Sequence, residues 1–567
     1  MEKNAILAAV LSLAVLLGWQ YFFVPQEPLK SKQIAKTKSL STEKSPGAQR
    51  RSMQDIDIKG YSNIDTKRSP KNNFIARTDN PKPKATPLLK NIKEVIVKVD
   101  VGNAVYGMTN HGAGFVQMEL MDYKDKNGKF IDLAKGFDKD NKSLFLAGDP
   151  KKLNNSVYKI YVDGQEITES KTFKIDPRKG KRTVSFIYKD EIFGSVEKSL
   201  TFYSGSYRVP ITIRIDNAKK LKKTGLMLGP AVGGSDGDTY GGVIEGPMTF
   251  VNNDIQYADT SKSEETFEKN VQWTSLQSKY FITALVPRTD SGGAETYLLK
   301  ANKDKVDDYS VIVPLKIKGS RVLATLDLYA GPKEVQRMSK LGVMLEESLD
   351  YGIFSFVASP LIYTLRICNT VTMNWGFAII LLTIIIKLLF YPLTHYSMKN
   401  MKGMQKLQPK MAQIREIYKD DKTKMNQQLM ALYKENKVNP MMGCLPMLIQ
   451  MPIFFGLYEG LLVSIELRNA PFIWWVTDLS KQDPYHVYTI LMGISMFIQQ
   501  KMTPTAGDPS QAKMMMFMPI IFCGMFIFYP VPSGLVIYWF ANNVLSIAQQ
   551  FFVNRSVETP KLAEEDK

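Results

Sequence analysis

The sequence predicts a membrane protein of six transmembrane α-helices, with a large all-β domain on the outer side and a helical hairpin in the cytoplasm. Three observations predict it. Long apolar stretches are confined to the first 25 residues and to the region beyond Tyr351. Between them, short alternating or apolar runs recur every 8–15 residues, separated by Gly, Asp-Gly and Asn-Gly turns. Lys and Arg are concentrated in particular connections, and that sets the orientation. The average composition hides this division: 44% of the 567 residues are hydrophobic and the formal net charge is +18. Such a charge points first to nucleic acid or an acidic membrane surface. Three Cys exclude a disulfide scaffold, and three His exclude most His-based metal sites.

Asn4–Val24 is 21 residues without a charge. About 20 apolar residues span a bilayer as a helix. No small-x-small cleavage site follows, and the stretch runs into the bulky WQYFFV. Residues 1–25 are therefore read as an uncleaved signal anchor rather than a cleaved signal peptide. Trp19 and Tyr21 belong at the outer headgroup level. Residues 26–90 carry 15 Lys/Arg against 6 Asp/Glu and no apolar periodicity. Such a segment buries too little surface to offset its ordering entropy, so it is read as a flexible solvated linker. Attraction to anionic lipid heads is the alternative.

Residues 91–349 change texture. The runs EVIVKVDV (94–101), SVYKIYVD (156–163), RTVSFIYKD (182–190), VPITIRID (209–216), YFITALVP (280–287), YSVIVPLKI (309–317) and RVLATLDLYAG (321–331) read as strands of one large β sandwich. A short amphipathic helix is expected over 332–349. The domain's sequence offers no catalytic triad, P-loop or metal-ligand cluster. Asp236, Asp238 and Trp273 would suit a carbohydrate cleft, but scattered surface Asp and a core Trp are the preferred reading.

Residues 350–374 are apolar, broken by Pro360 and marked by Arg366, and are read as an amphipathic helix on the outer interface. Five spans follow, at 375–396, 442–463, 487–502, 514–531 and 533–553. The last two are joined by YPVPSG, a tight hairpin. The connection 397–441 holds 10 Lys/Arg against 4 acidic residues, whereas 464–486 holds only Arg468 and Lys481. The positive-inside rule puts the first in the cytoplasm and the second outside. Both termini, including the tail 554–567, then lie in the cytoplasm and the β domain outside, in the periplasm if the cell is a bacterium. The connection 397–441 has helical spacing on either side of KDDK (419–422), so it is expected to be a helical hairpin. Its basic face is read as a solvated, positive-inside face, with ribosomal RNA or anionic lipid as the alternative contact.

The candidate functional residues are the polar ones inside the spans. Lys387 lies 12 residues after Trp375, or about 18 Å along a helix, near the middle of a hydrocarbon core of about 30 Å. A Lys there costs roughly 2.5–3.5 kcal/mol. It either snorkels towards the inner interface or faces a wet cavity, and the cavity is preferred because Thr383 shares its face. Tyr538, Asn542, Ser546 and Gln549 make one stripe by steps of 4, 4 and 3. Ser495 and Gln499 share a face, and Gln450 adds a further polar group. One stripe alone would be interhelical glue; several with a cation argue for a hydrophilic groove. Met514, Met515, Met516, Met518 and Met525 make the 514–531 span a greasy wall. Of the 28 Met, 19 fall in the last 217 residues, which fits either an adaptable binding surface or ordinary core filling. No acidic residue sits mid-membrane beside Lys387, which weakens a transporter reading.

Several segments resemble one family. NWGFAIILLTIIIKLLFYPLT, MQKLQPKM, MALYKENKVNPMMGCLPMLIQMPIFFGLYEGL, ELRNAPFIWWVTDLS and FYPVPSGLVIYWFANN are similar to the YidC family of membrane protein insertases, closely over about 330–553. YAGPK and DYG resemble its junction between β domain and membrane core. The resemblance implies a periplasmic β-supersandwich and a five-helix insertase core around a groove open to cytoplasm and lipid. It implies insertion and folding of nascent membrane proteins, alone or beside the Sec translocon (SecYEG, SecDF), with no enzymatic activity and no cofactor or metal. The resemblance implies nascent substrates and the translocon as partners; the charges of linker and hairpin add anionic lipids and, weakly through the hairpin, the ribosome, and their placement does not indicate DNA. Lys387, Thr383, Gln450, Tyr538 and Trp539 match groove positions. The family's groove charge is usually Arg, so Lys387 is a departure: Arg binds bidentately and stays charged, whereas Lys is a point charge. The tail VETPKLAEEDK is only weakly basic, unlike members with strong tail-mediated ribosome contact. The alternative from another class is a transporter or sugar-binding receptor using the β domain as its ligand module.

Overall fold

The computed structural model describes residues 93–125, 127–134, 143–148, 153–178, 180–219, 221, 223–229, 245–258, 264–267, 270–288, 294–298, 309–439, 445–502, 509–529 and 531–556. The expected signal anchor, the linker, Asp236, Asp238 and the tail beyond Ser556 lie outside them. The chain divides into two compact units at Ser348 and Leu349.

The first unit is all β, and all seven runs singled out above form strands. Among the described residues its central sheet has 11 strands. The path across it is Asp254–Tyr257, Gly246–Val251, Val271–Gln277, Phe281–Pro287, Arg321–Pro332, Arg208–Ile215, Gly194–Tyr203, Lys181–Asp190, Lys159–Val162 and Gln165–Ile167, with Ile317–Lys318 pairing beside Arg321–Pro332. One five-stranded sheet runs Phe130–Asp132, Phe115–Lys124, Ala104–Thr109, Ile96–Asp100 and Lys171–Lys174. Another runs Glu264–Phe267, Ala294–Leu298, Tyr309–Pro314, Thr224–Leu228 and Phe145–Gly148. Tyr106 joins the first small sheet to the central one, its ring 5.3 Å from Phe202.

The period of two puts Val196, Leu200 and Phe202 of Gly194–Tyr203 in the core, and Lys198 with them. Lys198 Nζ donates to the carbonyl of Ala113 at 2.8 Å and to that of Leu144. Both acceptor residues have left-handed backbones, with φ of 51° and 56°. Burial pushes the Lys198 ammonium down to about 7. Trp273 is also core: its ring stacks on Phe250 at 5.4 Å and its indole N–H donates to the Val343 carbonyl at 3.1 Å. It therefore lines no cleft. The single helix expected over 332–349 is instead one α turn, Val335–Met338, and two 3-10 turns, because Gly342 and Met344 adopt left-handed φ and interrupt it.

The second unit is helical: α1 (Ser355–Thr372), α2 (Trp375–Leu389), α3 (Tyr391–Ile417), α4 (Lys422–Glu435), α5 (Leu445–Val463), α6 (Val487–Met502), α7 (Pro509–Phe528) and α8 (Ser533–Ser556). Among the described residues, Gly352–Thr372 is the one unbroken helix long and apolar enough to cross a membrane. A bent pair, α2 with α3, passes the same test together. The helix expected over 375–396 breaks at Phe390, where the axis turns by 66°. Pro392 supplies the cause: in a continuous helix its ring would collide with the Leu388 carbonyl, whereas in the first turn of a new helix proline is at home. α1 packs on α5 over Gly456 and Gly460; a Cβ on Gly460 would come within 2.6 Å of Ile362. Arg366 of α1 pairs with Glu466 at 2.9 Å. Between α3 and α4 a small apolar cluster, Leu407, Met411, Leu429 and Leu432, holds the hairpin together.

Candidate functional site

α8 is the hub of the helical unit. Its first amides find carbonyls in the connection 464–486: Ser533 N donates to Lys481 at 2.7 Å and Gly534 N to Leu479 at 3.0 Å. The same connection closes over α2. Asn374 accepts the amides of Gly376 and Phe377 and donates to the carbonyls of Pro471 and Phe472, both at 3.2 Å. At this end the helix termini are capped and the connection buries Phe472, Val476 and Leu479.

Further along, α8 makes a polar bridge to each of four neighbours. Tyr538 pairs with Gln450 of α5. Asn543 donates to Ser495 of α6 at 3.0 Å. Ser546 accepts from Lys387 Nζ of α2 at 2.7 Å and donates to its own helix at the Asn542 carbonyl. Gln549 donates to Thr394 of α3 at 2.8 Å, and Gln550 to the Met502 carbonyl of α6 at 2.6 Å. The charge at Lys387 lies in the last turn of α2, where the helix dipole favours a cation. α2 has 15 residues, so it is only about 22 Å long.

The candidate residues divide accordingly. Lys387, Gln450, Tyr538 and Ser495 belong to this polar seam, with α8 in common. Thr383 is buried but turns its hydroxyl onto the Ile379 carbonyl of its own helix at 2.7 Å, so it does not meet Lys387 in a shared pair. Asn542 and Gln499 are half-buried. Trp539 stands apart in an aromatic cluster, 4.6 Å from Phe454 of α5 and 5.5 and 5.6 Å from Phe522 and Phe526 of α7. It fills the space between α5 and α7. The outer faces of these helices are apolar and exposed, with Leu448 on one and Phe517, Ile520 and Ile521 on the other. The side chains of Met514 and Met515 lie outside the described residues. The sequence reading missed Asn543, Gln550 and Thr394. The signal was present in the doublets Asn542-Asn543 and Gln549-Gln550, which put polar groups on two faces of one helix.

Two family models match the chain: YidC periplasmic domain over residues 97–364 and 60Kd inner membrane protein over residues 367–561. The chain is 34% identical over 566 residues to the membrane protein insertase YidC of Geotalea daltonii, covering 98% of this chain and 100% of that one. The chain belongs to the YidC family. The Geotalea uraniireducens YidC is 36% identical over 580 residues, at the same coverage. A solved structure of an active YidC insertase with its first transmembrane domain resolved is 20% identical, covering 82% of this chain and 95% of that one at a TM-score of 0.36. YidC proteins are inner-membrane proteins with a periplasmic domain, and the all-β unit corresponds to that domain.

Proposed function

We propose that this chain inserts and folds nascent membrane proteins in the bacterial inner membrane through a hydrophilic groove, and that Lys387 is the groove's working charge. In this reading six helices cross the membrane: the anchor, the bent α2–α3 start, and α5 to α8. The β domain is periplasmic, the α3–α4 hairpin and both termini are cytoplasmic, and α1 lies on the outer interface. The observation that carries the proposal is a lysine in an otherwise uncharged helix, bonded to Ser546 within a seam of bridges around α8.

The physical logic follows from cost. A polar segment of substrate is expensive in hydrocarbon because its backbone and side chains lose water. Lys387, Ser546 and Gln549 would offer it partners part-way across. An acidic side chain about 4 Å from the ammonium gains about 4 kcal/mol at an effective dielectric of 20. α2 at 15 residues and α6 at 16 are shorter than the usual spanning length of about 20, which favours a locally thinned bilayer. Half-buried Asn542 and Gln499 would extend the polar lining, with buried Thr383 and Ser495 behind it. The apolar substrate helix would then leave between α5 and α7, past Trp539, driven by transfer into lipid.

The Sec translocon (SecYEG, SecDF) would hand over longer substrates. The ribosome would meet the basic hairpin weakly, and anionic lipids would meet the linker and hairpin charges. Reconstitution of the chain into liposomes without SecYEG tests the proposal. A small phage-coat-type substrate should become protease-protected. Protection that appears only when SecYEG is added would reduce the chain to a holdase.

A further inference from the structure

Trp474 is an unusual residue in an otherwise well-packed connection. It is 78% exposed, and its φ of 55° is left-handed, a conformation that bulky residues rarely adopt. Neither burial nor backbone preference accounts for an indole there. Its support, by contrast, is rigid. The ring stacks on Trp475 at 5.4 Å and 19°. Trp475 donates its indole N–H to Asp483 at 3.0 Å, and buried Asp483 also accepts the amides of Tyr485 at 3.2 Å and Tyr488 at 2.7 Å. Tyr485, itself exposed, packs edge-on against Trp475. Two amphipathic rings are thus held outward on one platform.

We propose that Trp474, with Tyr485, is an anchor in the phospholipid headgroup layer, fixing the depth of the capped end of the bundle. The surface beside it argues for lipid rather than a protein partner. α6 starts two residues after Tyr485, and its exposed face is Ile490, Leu491, Ile494, Phe497 and Ile498, an apolar stripe that runs up to the platform and suits contact with lipid. Of the charges in the same connection, Lys481 is paired with Asp478 at 3.2 Å, Glu466 with Arg366 at 2.9 Å, and Arg468 and Asp483 are buried. Trp and Tyr favour the layer where hydrocarbon meets headgroups, because one end of the ring is apolar and the other donates a hydrogen bond. The inference needs this end of the helices to reach a bilayer face, whichever side of the membrane that is.

The test is fluorescence quenching of the full-length protein in phosphatidylethanolamine/phosphatidylglycerol nanodiscs. The parent is compared with Trp474→Phe and with Trp474→Asn, which suits a left-handed backbone and lacks a ring. Trp475→Phe controls for energy transfer. The difference signal between the parent and each Trp474 variant is that of Trp474. It should lose more emission to a headgroup nitroxide lipid than to a mid-chain nitroxide lipid or to aqueous iodide. Dominant quenching by iodide, by the mid-chain probe, or by none of the three overturns the proposal; the last means that protein covers the ring. If the remaining tryptophans also ignore both lipid probes, the membrane embedding itself fails, which is a separate result.

Discussion

Lys198 gives the β domain a pH dependence that one substitution should remove. The amine is fully buried and held by the carbonyls of Ala113 and Leu144. Its native value is about 7, against 10.5 for an unburied lysine. Between those values the unfolded chain binds a proton that the folded domain does not, so stability rises with pH. Below about 7 both states are protonated and the slope from this group vanishes. The whole interval corresponds to a burial penalty on the order of 5 kcal/mol, gained back at about 1.4 kcal/mol per pH unit. In Lys198→Met the unbranched side chain fills the same space and the titration is gone. The two orphaned carbonyls cost about 1–3 kcal/mol each, independent of pH. The assay is the melting temperature of the β-domain transition in the full-length protein in detergent, from pH 7 to 10. At about 2–4 °C per kcal/mol for a domain of this size, the parent should gain about 3–6 °C per pH unit relative to the variant. Parallel pH profiles for parent and variant would refute the reasoning.

Two further predictions concern the helical unit. In Gly376→Ala the new Cβ would sit 2.0 Å from the Phe472 ring, so either α2 or the connection 464–486 must move; the melting temperature of the detergent-solubilised protein should fall, by about 1–3 kcal/mol of overpacking. Arg366→Gln and Glu466→Gln each break a part-buried pair, and a double-mutant cycle on thermal stability should return a coupling of about 1–3 kcal/mol; additive losses would mean that the pair contributes nothing.

Much of the fold was legible because its signals are local. The alternation in VPITIRID marks the strand Arg208–Ile215, but the neighbouring strand Gly194–Tyr203 was not singled out, and nothing local says that its inward Lys198 finds two carbonyls from distant turns. The apolar pattern of 375–396 runs through Phe390, and the composition gave no reason to stop there; Pro392 did. Gly456 and Gly460 carry no local signal of their role, because it depends on α1 lying against them, about 100 residues earlier in the chain. By its spacing alone the polar stripe of α8 is the lining of one groove. In the structure its members also bind the bundle together, each reaching a different neighbour, and the second stripe through Asn543 and Gln550 came to light only with α6 in place. Partner choice across helices is a tertiary property, so periodicity finds the polar faces but not what they meet.

The direct test of Lys387 as the working charge is protease protection of a small single- or double-span substrate in liposomes. Parent, Lys387→Arg and Lys387→Ala are compared at equal reconstituted amounts. The parent should protect the substrate and Lys387→Arg should keep most of that activity, because the charge is retained. Lys387→Ala should lose insertion by about tenfold for each 1.4 kcal/mol of attraction removed. Full protection by Lys387→Ala would contradict the essential charge.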